Sequence, residues 1–311
     1  MRKTRIIGIM LVFALLLAAF TSFASADGVE RTSVTVTSSW LNSVGDYPKI
    51  FEKMNKKITI PETPATGYGT VKGKYGNYKA DLNAYMKIDP SGNPQWCGIV
   101  GKYIYIACTE YASVKNGKGW LLKYDLKKKK LVKKGPKFNI GHGQHFGYDP
   151  KTKKLNYSDS FGGGDSVYEI SQQSLKPVGI SIKEWNRMIP PNGGSGAGQG
   201  GGFTYDKNGN RFCSIGYGNM KGSPQGIGYD RKKNRIVLVS DHSIAAYDID
   251  ALLYRGRYAE GSSSNLTGKE LLATGFQTGK ELECITFDSA GYGYVITNRP
   301  AQVLRSSKAM Y

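Results

Sequence analysis

Short runs of β-branched and aromatic residues dominate the chain after residue 26, and Gly, Asn and Asp interrupt them. This pattern is typical of strands joined by tight turns. The clearest runs lie at residues 33–40, 102–108, 235–241 and 292–298. Helical periodicity is scarce and predicts only two short pieces, at residues 47–54 and 249–254. The pattern therefore predicts an all-β protein.

A four-residue unit recurs along the chain: an apolar residue, any residue, an aromatic residue and Asp. Its copies lie at residues 146–149, 203–206, 227–230 and 285–288, and a looser copy without the Asp begins at residue 95. A polar turn and another apolar run follow each copy, and Asp is a residue that favours such turns. The repeated strands start at Gln95, Gln144, Gln199, Gln225 and Glu283.

Most intervals between these starts suit one four-stranded propeller blade, which takes about 40–50 residues. The short interval before Gln225 does not, so either the unit at Gln199 is half a blade or the Gly-rich stretch 193–202 distorts the period. We predict a single-domain β-propeller of five blades over residues 95–311. The segment 27–94 would supply a ring-closing strand, with 33–40 as the candidate. The alternative fold is a β-sandwich with long hairpins.

The first 26 residues have the organisation of an export signal. Arg2, Lys3 and Arg5 precede an apolar run over residues 6–20, and Ala24 and Ala26 follow as small residues at alternate positions. This order is typical of a signal peptide that is cleaved after a small residue. We therefore expect cleavage after Ala26 and a mature protein that works outside the cell.

The chain is strongly basic, with 43 Lys and Arg against 24 Asp and Glu. Such a surplus favours anionic partners such as wall polymers, acidic glycans or lipid head groups, and we find no nucleic-acid-binding motif. The turns after the first and third strands of a blade lie at the same end, which predicts one basic face. The alternative is that lysines simply solvate the turns. The residues predicted to bind an anionic surface are Lys127, Lys128, Lys129, Lys130, Lys151, Lys153, Lys154, Arg231, Lys232, Lys233 and Arg235.

Polar residues start the repeated strands and are expected at the opposite face, around the mouth of the central channel. The predicted mouth consists of His142, Gln144, His145, Gln225 and Glu283. Amides with one acid suit sugar hydroxyls better than acid–base catalysis, which needs tuned carboxylates. The histidines would need a third ligand to hold a metal, for which Asp159, Asp165 or Glu283 are candidates. Hydrogen-bonded structural histidines are the favoured interpretation, with no metal or other cofactor.

Four cysteines are present, and an exported chain can form disulfides. Their spacing leaves the pairing open. Cys97 and Cys284 occupy matching places in the first and last repeats, so their strands would start side by side if these repeats are neighbours in the ring. The sequence thus makes Cys97–Cys284 the candidate bridge. The tryptophans Trp40, Trp96, Trp120 and Trp185 could stack on sugars or pack between blades.

Three strings together resemble the helveticin J family of large bacteriocins: NIGHGQHFGYD at 139–149, QGIGYDRKKNRIVLVSD at 225–241 with AAYDID after it, and ELECITFDSAGYGYVITNRPAQVLRSS at 281–307. The resemblance covers roughly residues 95–307. It implies a secreted antibacterial protein that acts on related Gram-positive cells without a known catalytic mechanism.

Three functions therefore remain open. The first is a bacteriocin-like protein that acts on or binds the Gram-positive surface. The second is a non-toxic wall- or glycan-binding propeller. The third is a secreted propeller hydrolase or lactonase, although no catalytic residue is assigned because the sequence has no nucleophile motif such as G-x-S-x-G.

Overall fold

The computed structural model describes residues 53–54, 56–61, 67–110, 117–144, 146–149, 153–158, 167–182, 215–216, 224–230, 232–233, 235–248, 264–265 and 270–310. Within these ranges the structure is built from strands, as the pattern of apolar residues predicted. Residues 53–54 and 56–57 are helical, at the end of the first predicted helical piece. Among the described residues, no helix has the length and apolar character needed to cross a membrane.

The strands, in chain order, are β1 (Gly73–Tyr75), β2 (Leu82–Lys87), β3 (Asn93–Val100), β4 (Tyr103–Thr109), β5 (Lys118–Asp125), β6 (Lys130–Lys134), β7 (Phe138–Asn139), β8 (Phe146–Asp149), β9 (Lys154–Ser158), β10 (Val167–Ile170), β11 (Pro177–Ile182), β12 (Ile215–Gly216), β13 (Pro224–Asp230), β14 (Arg235–Ser240), β15 (Ser243–Asp248), β16 (Ser264–Asn265), β17 (Glu270–Phe276), β18 (Glu281–Phe287), β19 (Gly293–Asn298) and β20 (Gln302–Ser306).

Four antiparallel sheets form the blades of a β-propeller. The first blade is β3-β4-β5-β6, the second is β8-β9-β10-β11, the third is β13-β14-β15-β17, and the fourth is β18-β19-β20-β2. The inner strands β3, β8, β13 and β18 lie around the axis, where β18 packs against both β3 and β13, and β3 packs against β8. The arrangement is that of a propeller and not of the alternative β-sandwich. The described residues contain four blades, whereas the sequence predicted five.

The ring is closed by a strand from the N-terminal segment. Strand β2 pairs with β20 in the fourth blade, with Leu82 opposite Ser306 and Lys87 opposite Gln302. The position that was predicted for residues 33–40 is therefore held by β2, and β1 adds a further strand to the third blade by pairing with β17. Strands that are more than 200 residues apart in the chain thus share one sheet.

The core lies between the blades. Ile104, Ile106 and Leu121 of the first blade are fully buried, as are Val295 and Leu304 of the fourth. Strand β13 approaches β18 closely because it carries glycine at the contact: a Cβ at Gly228 would lie 2.5 Å from the carbonyl oxygen of Ile285. Apolar packing between neighbouring sheets thereby fixes the inner strands around the channel.

Several predicted features lie outside the described residues. They are the export signal 1–26, the strand 33–40, the helical piece 249–254, the Gly-rich stretch 193–202, the repeat unit 203–206, and the side chains of Trp40, His145, Lys151, Asp159, Asp165, Trp185, Cys213 and Arg231.

Candidate functional site

The four inner strands run in the same direction, so their first residues meet at one end of the channel. Side chains that alternate along each strand form successive levels, because every second residue of a strand faces the same side. The first level lies at or just before the start of the strands and holds Gln95, Gln144, Gln225 and Glu283, where a register shift interrupts the alternation in three of the strands. The second level holds Cys97, Phe146, Ile227 and Ile285, and the third holds Ile99, Tyr148, Tyr229 and Phe287. We call the end at the first level the polar end and the opposite end the basic end.

A β-bulge occurs at the same place in three of the inner strands. The pairing of β3 with β4 skips between Pro94 and Trp96, and matching skips occur in β13 and β18. The residue left without a partner is Gln95, Gln225 or Glu283. Bulges re-aim side chains and are frequent beside active sites. The same backbone irregularity therefore positions three of the four first-level side chains.

Hydrogen bonds connect the polar side chains across the ring. The Gln144 Nε2 donates to Gln225 Oε1 at 3.0 Å. The Gln225 Nε2 in turn donates to Asp241 Oδ1 and, at 3.3 Å, to Glu281 Oε1. The structure thus brings two predicted mouth residues together. It adds Asp241 and Glu281, which the sequence analysis missed.

Glu283 is the most deeply buried acid of this group, with 1% of its surface exposed. Its Oε1 accepts a hydrogen bond from Asn298 Nδ2, whereas Oε2 has no hydrogen-bond partner among the described residues. Burial raises the pKa of Glu283 well above its usual range, and the nearby Glu281 and Asp241 raise it further. Burial and Asp241 also raise the pKa of Glu281. Glu281 and Glu283 therefore hold their protons more tightly than exposed glutamates do.

Of the two histidines predicted at the mouth, the structure describes His142, which is half-buried. Burial lowers the pKa of His142, which favours its neutral form, and His145 lies outside the described residues. In the part of the chain that the structure describes, no three His, Cys, Asp or Glu side chains are grouped so that they could hold a metal ion.

The basic end of the channel opens into a cavity of about 700 Å³. The second and third levels of all four inner strands line it, together with Asp230, Lys232 and Asp288. Trp96 and Phe146 stack in its wall with ring centroids 5.5 Å apart. The exposed Lys232 and Ser289 lie at its rim, so the cavity reaches the surface between the turns of the blades.

Aspartates close the turns at this end, which explains why the repeat unit finishes with Asp. Asp125 accepts a hydrogen bond from the backbone N–H of Lys128, and Asp230 accepts one from Lys232. Asp288 accepts from the backbone N–H groups of Ala290 and Tyr292. These carboxylates are turned inward to the backbone, so the lysines of the same turns carry the charge that faces solvent.

Every described member of the three lysine-rich clusters lies in or beside these turns. Lys127, Lys128, Lys129 and Lys130 follow β5, Lys153 and Lys154 follow β8, and Lys232, Lys233 and Arg235 follow β13. All are exposed except Arg235, which is half-buried. Connectivity places these turns at the basic end, opposite Gln144, Gln225 and Glu283. That they bind an anionic surface stays a prediction.

Two of these lysines have partners within the protein. Lys154 forms an ion pair with Glu169 at 2.8 Å, and the Nζ of Lys129 lies 4.3 Å from the centre of the Tyr85 ring. Among the described residues, Lys127, Lys128 and Lys130 form no ion pair. Three positive charges of one turn therefore remain available to a partner.

The candidate cysteine pair is adjacent but not bridged. Cys97 and Cys284 are buried free thiols, and the Cys284 Sγ lies 3.8 Å from the carbonyl oxygen of Cys97. The structure therefore places the two strands side by side without the disulfide. Of the candidate sugar-stacking tryptophans, Trp96 and Trp120 are 6% and 3% exposed and pack in the core.

Comparison with known proteins finds no matching family and no matching curated protein. The chain is similar to several solved structures. A streptogramin B lyase structure aligns with a TM-score of 0.36 and 12% identity, over 73% of this chain and 97% of that chain. A glucose dehydrogenase gives 0.33 and 9%, over 78% and 96%. A luciferin-regenerating enzyme gives 0.29 and 13%, over 80% and 76%. Likenesses of this size assign no activity to this chain.

Proposed function

We propose that this protein is exported and binds anionic polymers of the Gram-positive cell surface through its basic end, as a bacteriocin-like protein of the helveticin J type. The observation that carries the proposal is the placement of three lysine-rich turns at one end of the propeller. The acids of two of these turns, Asp125 and Asp230, point to the backbone. A partner approaching this end therefore meets mainly ammonium groups.

Wall polymers that carry phosphate suit such a surface. A single-sign face raises the local concentration of an oppositely charged partner. The attraction between exposed charges is screened over about 10 Å at 0.1 M salt. Binding at the basic end should therefore weaken steeply as salt is added.

The test compares two double variants in binding to purified Gram-positive walls. Lys127→Ser with Lys128→Ser removes two charges of the basic end, and Lys87→Ser with Lys118→Ser removes two exposed charges of the polar end. Because one lysine near an anionic surface contributes about 1 kcal/mol, we expect the first variant to bind at least about tenfold more weakly. The control should bind like the wild type.

Walls stripped of teichoic acid should lose most of this binding. Equal loss in both variants, or binding that is unchanged at high salt, would contradict the proposal. Purified mature protein spotted on lawns of Gram-positive bacteria tests the killing activity separately. Wall binding without clearing of the lawn would assign the protein to the non-toxic binders.

We further propose that residues between β11 and β13 form a fifth blade. The repeat unit at 203–206 supports this, because the units at 146–149, 227–230 and 285–288 each contribute to an inner strand. An experimental structure with these residues in a sheet of four strands is the expected result. A ring that closes directly from the second to the third blade would contradict it.

The second candidate function is a hydrolase at the polar end. The observation that favours it is the group of carboxyls formed by Asp241, Glu281 and Glu283, since acid–base catalysts need a pKa moved toward neutrality. Glu281 is the candidate base because it is half-buried and touches Gln225. Turnover of a lactone or ester that is lost in Glu281→Gln but kept in the control Glu110→Gln, which changes a half-buried glutamate paired with Lys137, would support this function. No turnover across a panel of esters, lactones and glycosides would reject it.

A further inference from the structure

We infer that the cavity at the basic end binds one anionic sugar ring, a pyranose that carries a phosphate or carboxylate group. This inference rests on the proposed function, because it names the part of a surface polymer that would enter the propeller. The aromatic wall, a buried acceptor and a cation at the rim carry the argument.

The aromatic wall is made by the repeat itself. Tyr148, Tyr229 and Phe287 occupy the third position of their repeat units, and each lines the cavity while remaining partly exposed. The residues two places earlier, such as Phe146 and Ile227, form the deeper wall. Aromatic side chains offer a broad apolar face, which matches the C–H face of a pyranose. Three such residues from different blades surround one opening.

Asp230 supplies a buried acceptor. It is 1% exposed and lines the cavity. Its Oδ1 accepts a hydrogen bond from the backbone N–H of Lys232, but Oδ2 has no partner among the described residues. Buried polar atoms are almost always hydrogen-bonded. Oδ2 itself has almost no exposed surface, so a sugar hydroxyl would supply the missing donor after a shift of the Asp230 side chain toward the cavity.

Lys232 provides the cation. Its side chain is exposed at the rim, and its Nζ donates to the backbone carbonyl of Ala290 at 3.4 Å. A phosphate or carboxylate on the sugar would meet this ammonium group while the ring lies against Tyr229. The volume of about 700 Å³ lies within the range of small-molecule sites, about 300–1,000 Å³. The cavity therefore accommodates a sugar and its charged substituent.

Calorimetric titration tests the inference with four defined probes. Glucose 6-phosphate and glucuronate carry both ring and charge, glucose lacks the charge, and glycerol 3-phosphate lacks the ring. We expect the wild type to bind the two charged sugars most tightly. Phe287→Leu and Tyr229→Ala should weaken this binding at least about tenfold, whereas Tyr68→Ala, at an exposed tyrosine outside the cavity, should not.

Asp230→Asn separates binding from folding, because it keeps the Oδ1 acceptor of the turn and replaces the free acceptor with a donor. It should weaken binding of the charged sugars with an unchanged unfolding midpoint. If no charged sugar binds the wild type, or if Tyr229→Ala and Phe287→Leu bind as the wild type does, the inference is overturned. Preference for glycerol 3-phosphate over glucose 6-phosphate would overturn it as well.

The same variants distinguish this failure from failure of the proposed function. If the wild type and Tyr229→Ala both bind walls in a salt-sensitive way but neither binds free sugars, the basic surface is retained as the wall-binding site. The sugar site is then rejected. Sugar binding without wall binding would retain the sugar site and reject the basic surface as a wall-binding site. The Lys127→Ser, Lys128→Ser variant should lose wall binding but keep the sugars.

Discussion

At the scale of single residues, neighbouring positions of one repeat unit have separate roles. The aspartate of the unit satisfies backbone N–H groups in the following turn, as Asp288 does for Ala290 and Tyr292. The aromatic residue just before it lines the cavity, as Phe287 does. The bulged residue at the start of the same strand, here Glu283, belongs to the polar end. One repeated strand thus contributes to both ends of the channel.

Glu283 should make stability depend on pH. Its pKa is raised in the folded state above the ordinary value of 4.5, so the folded state holds the proton more tightly than the unfolded chain. Its contribution to stability is complete below pH 4.5 and is lost as pH rises through the folded-state pKa. Glu283→Gln, which cannot lose a proton, should therefore gain stability over the wild type as pH increases, by at most about 1.4 kcal/mol per pH unit.

Urea unfolding of both proteins between pH 4.5 and 8.5 measures this difference. Glu110→Gln is the control, since Glu110 is a surface residue paired with Lys137. A difference between Glu283→Gln and the wild type that stays constant with pH would show that Glu283 is ionised in both states.

At the scale of elements, one strand from the N-terminal part of the chain closes the ring. Strand β2 completes the fourth blade, although more than 200 residues separate it from β20, as the pairing of Leu82 with Ser306 requires. Leu82 is fully buried and packs in a cluster with Leu282, Val295 and Leu304. The closing strand is therefore held by apolar packing as well as by backbone hydrogen bonds.

Loss of the Leu82 side chain should lower the free energy of unfolding, because it weakens the packing of β2 in the fourth blade. Leu82→Ala removes a buried leucine, for which a cost of about 2–5 kcal/mol is usual. The next residue, Asn83, is exposed on the same strand, so Asn83→Ala should cost less than about 0.5 kcal/mol. Equilibrium denaturation measures both. Equal small losses in the two variants would show that β2 adds little to the stability of the ring.

The sequence predicted the elements better than their partners. Alternating apolar residues and the Asp of each turn are local signals, so the inner strands and the equivalent starts Gln144, Gln225 and Glu283 could be identified. Asp241 lies in the turn between β14 and β15, and no local signal relates it to Gln225. The closing strand could not be chosen either, because residues 33–40 have as strong a strand pattern as residues 82–87. The strand pairing in the folded structure identifies β2 as the closing strand, and local sequence patterns do not contain this information.

At the scale of the whole molecule, the propeller has ends of opposite character. The polar end gathers Asp241, Glu281 and Glu283, whereas the turns at the basic end expose lysines. A molecule of this kind should approach an anionic polymer in one orientation, because the exposed lysines of the basic end attract the polymer and the buried carboxyls of the polar end do not. The formal net charge of +19 favours binding overall, but its distribution determines which surface is covered.

Lysine acetylation read by mass spectrometry should reveal this orientation. On addition of teichoic acid at low salt, Lys127, Lys128 and Lys232 should become protected because the polymer covers the basic end. Lys87 and Lys118 are also exposed but lie at the polar end, and they should react as in the free protein. Protection should disappear when salt is raised to 1 M, where the screening length falls to about 3 Å. Uniform protection of both groups would mean that the polymer binds without orientation and that total charge, not its placement, governs recognition.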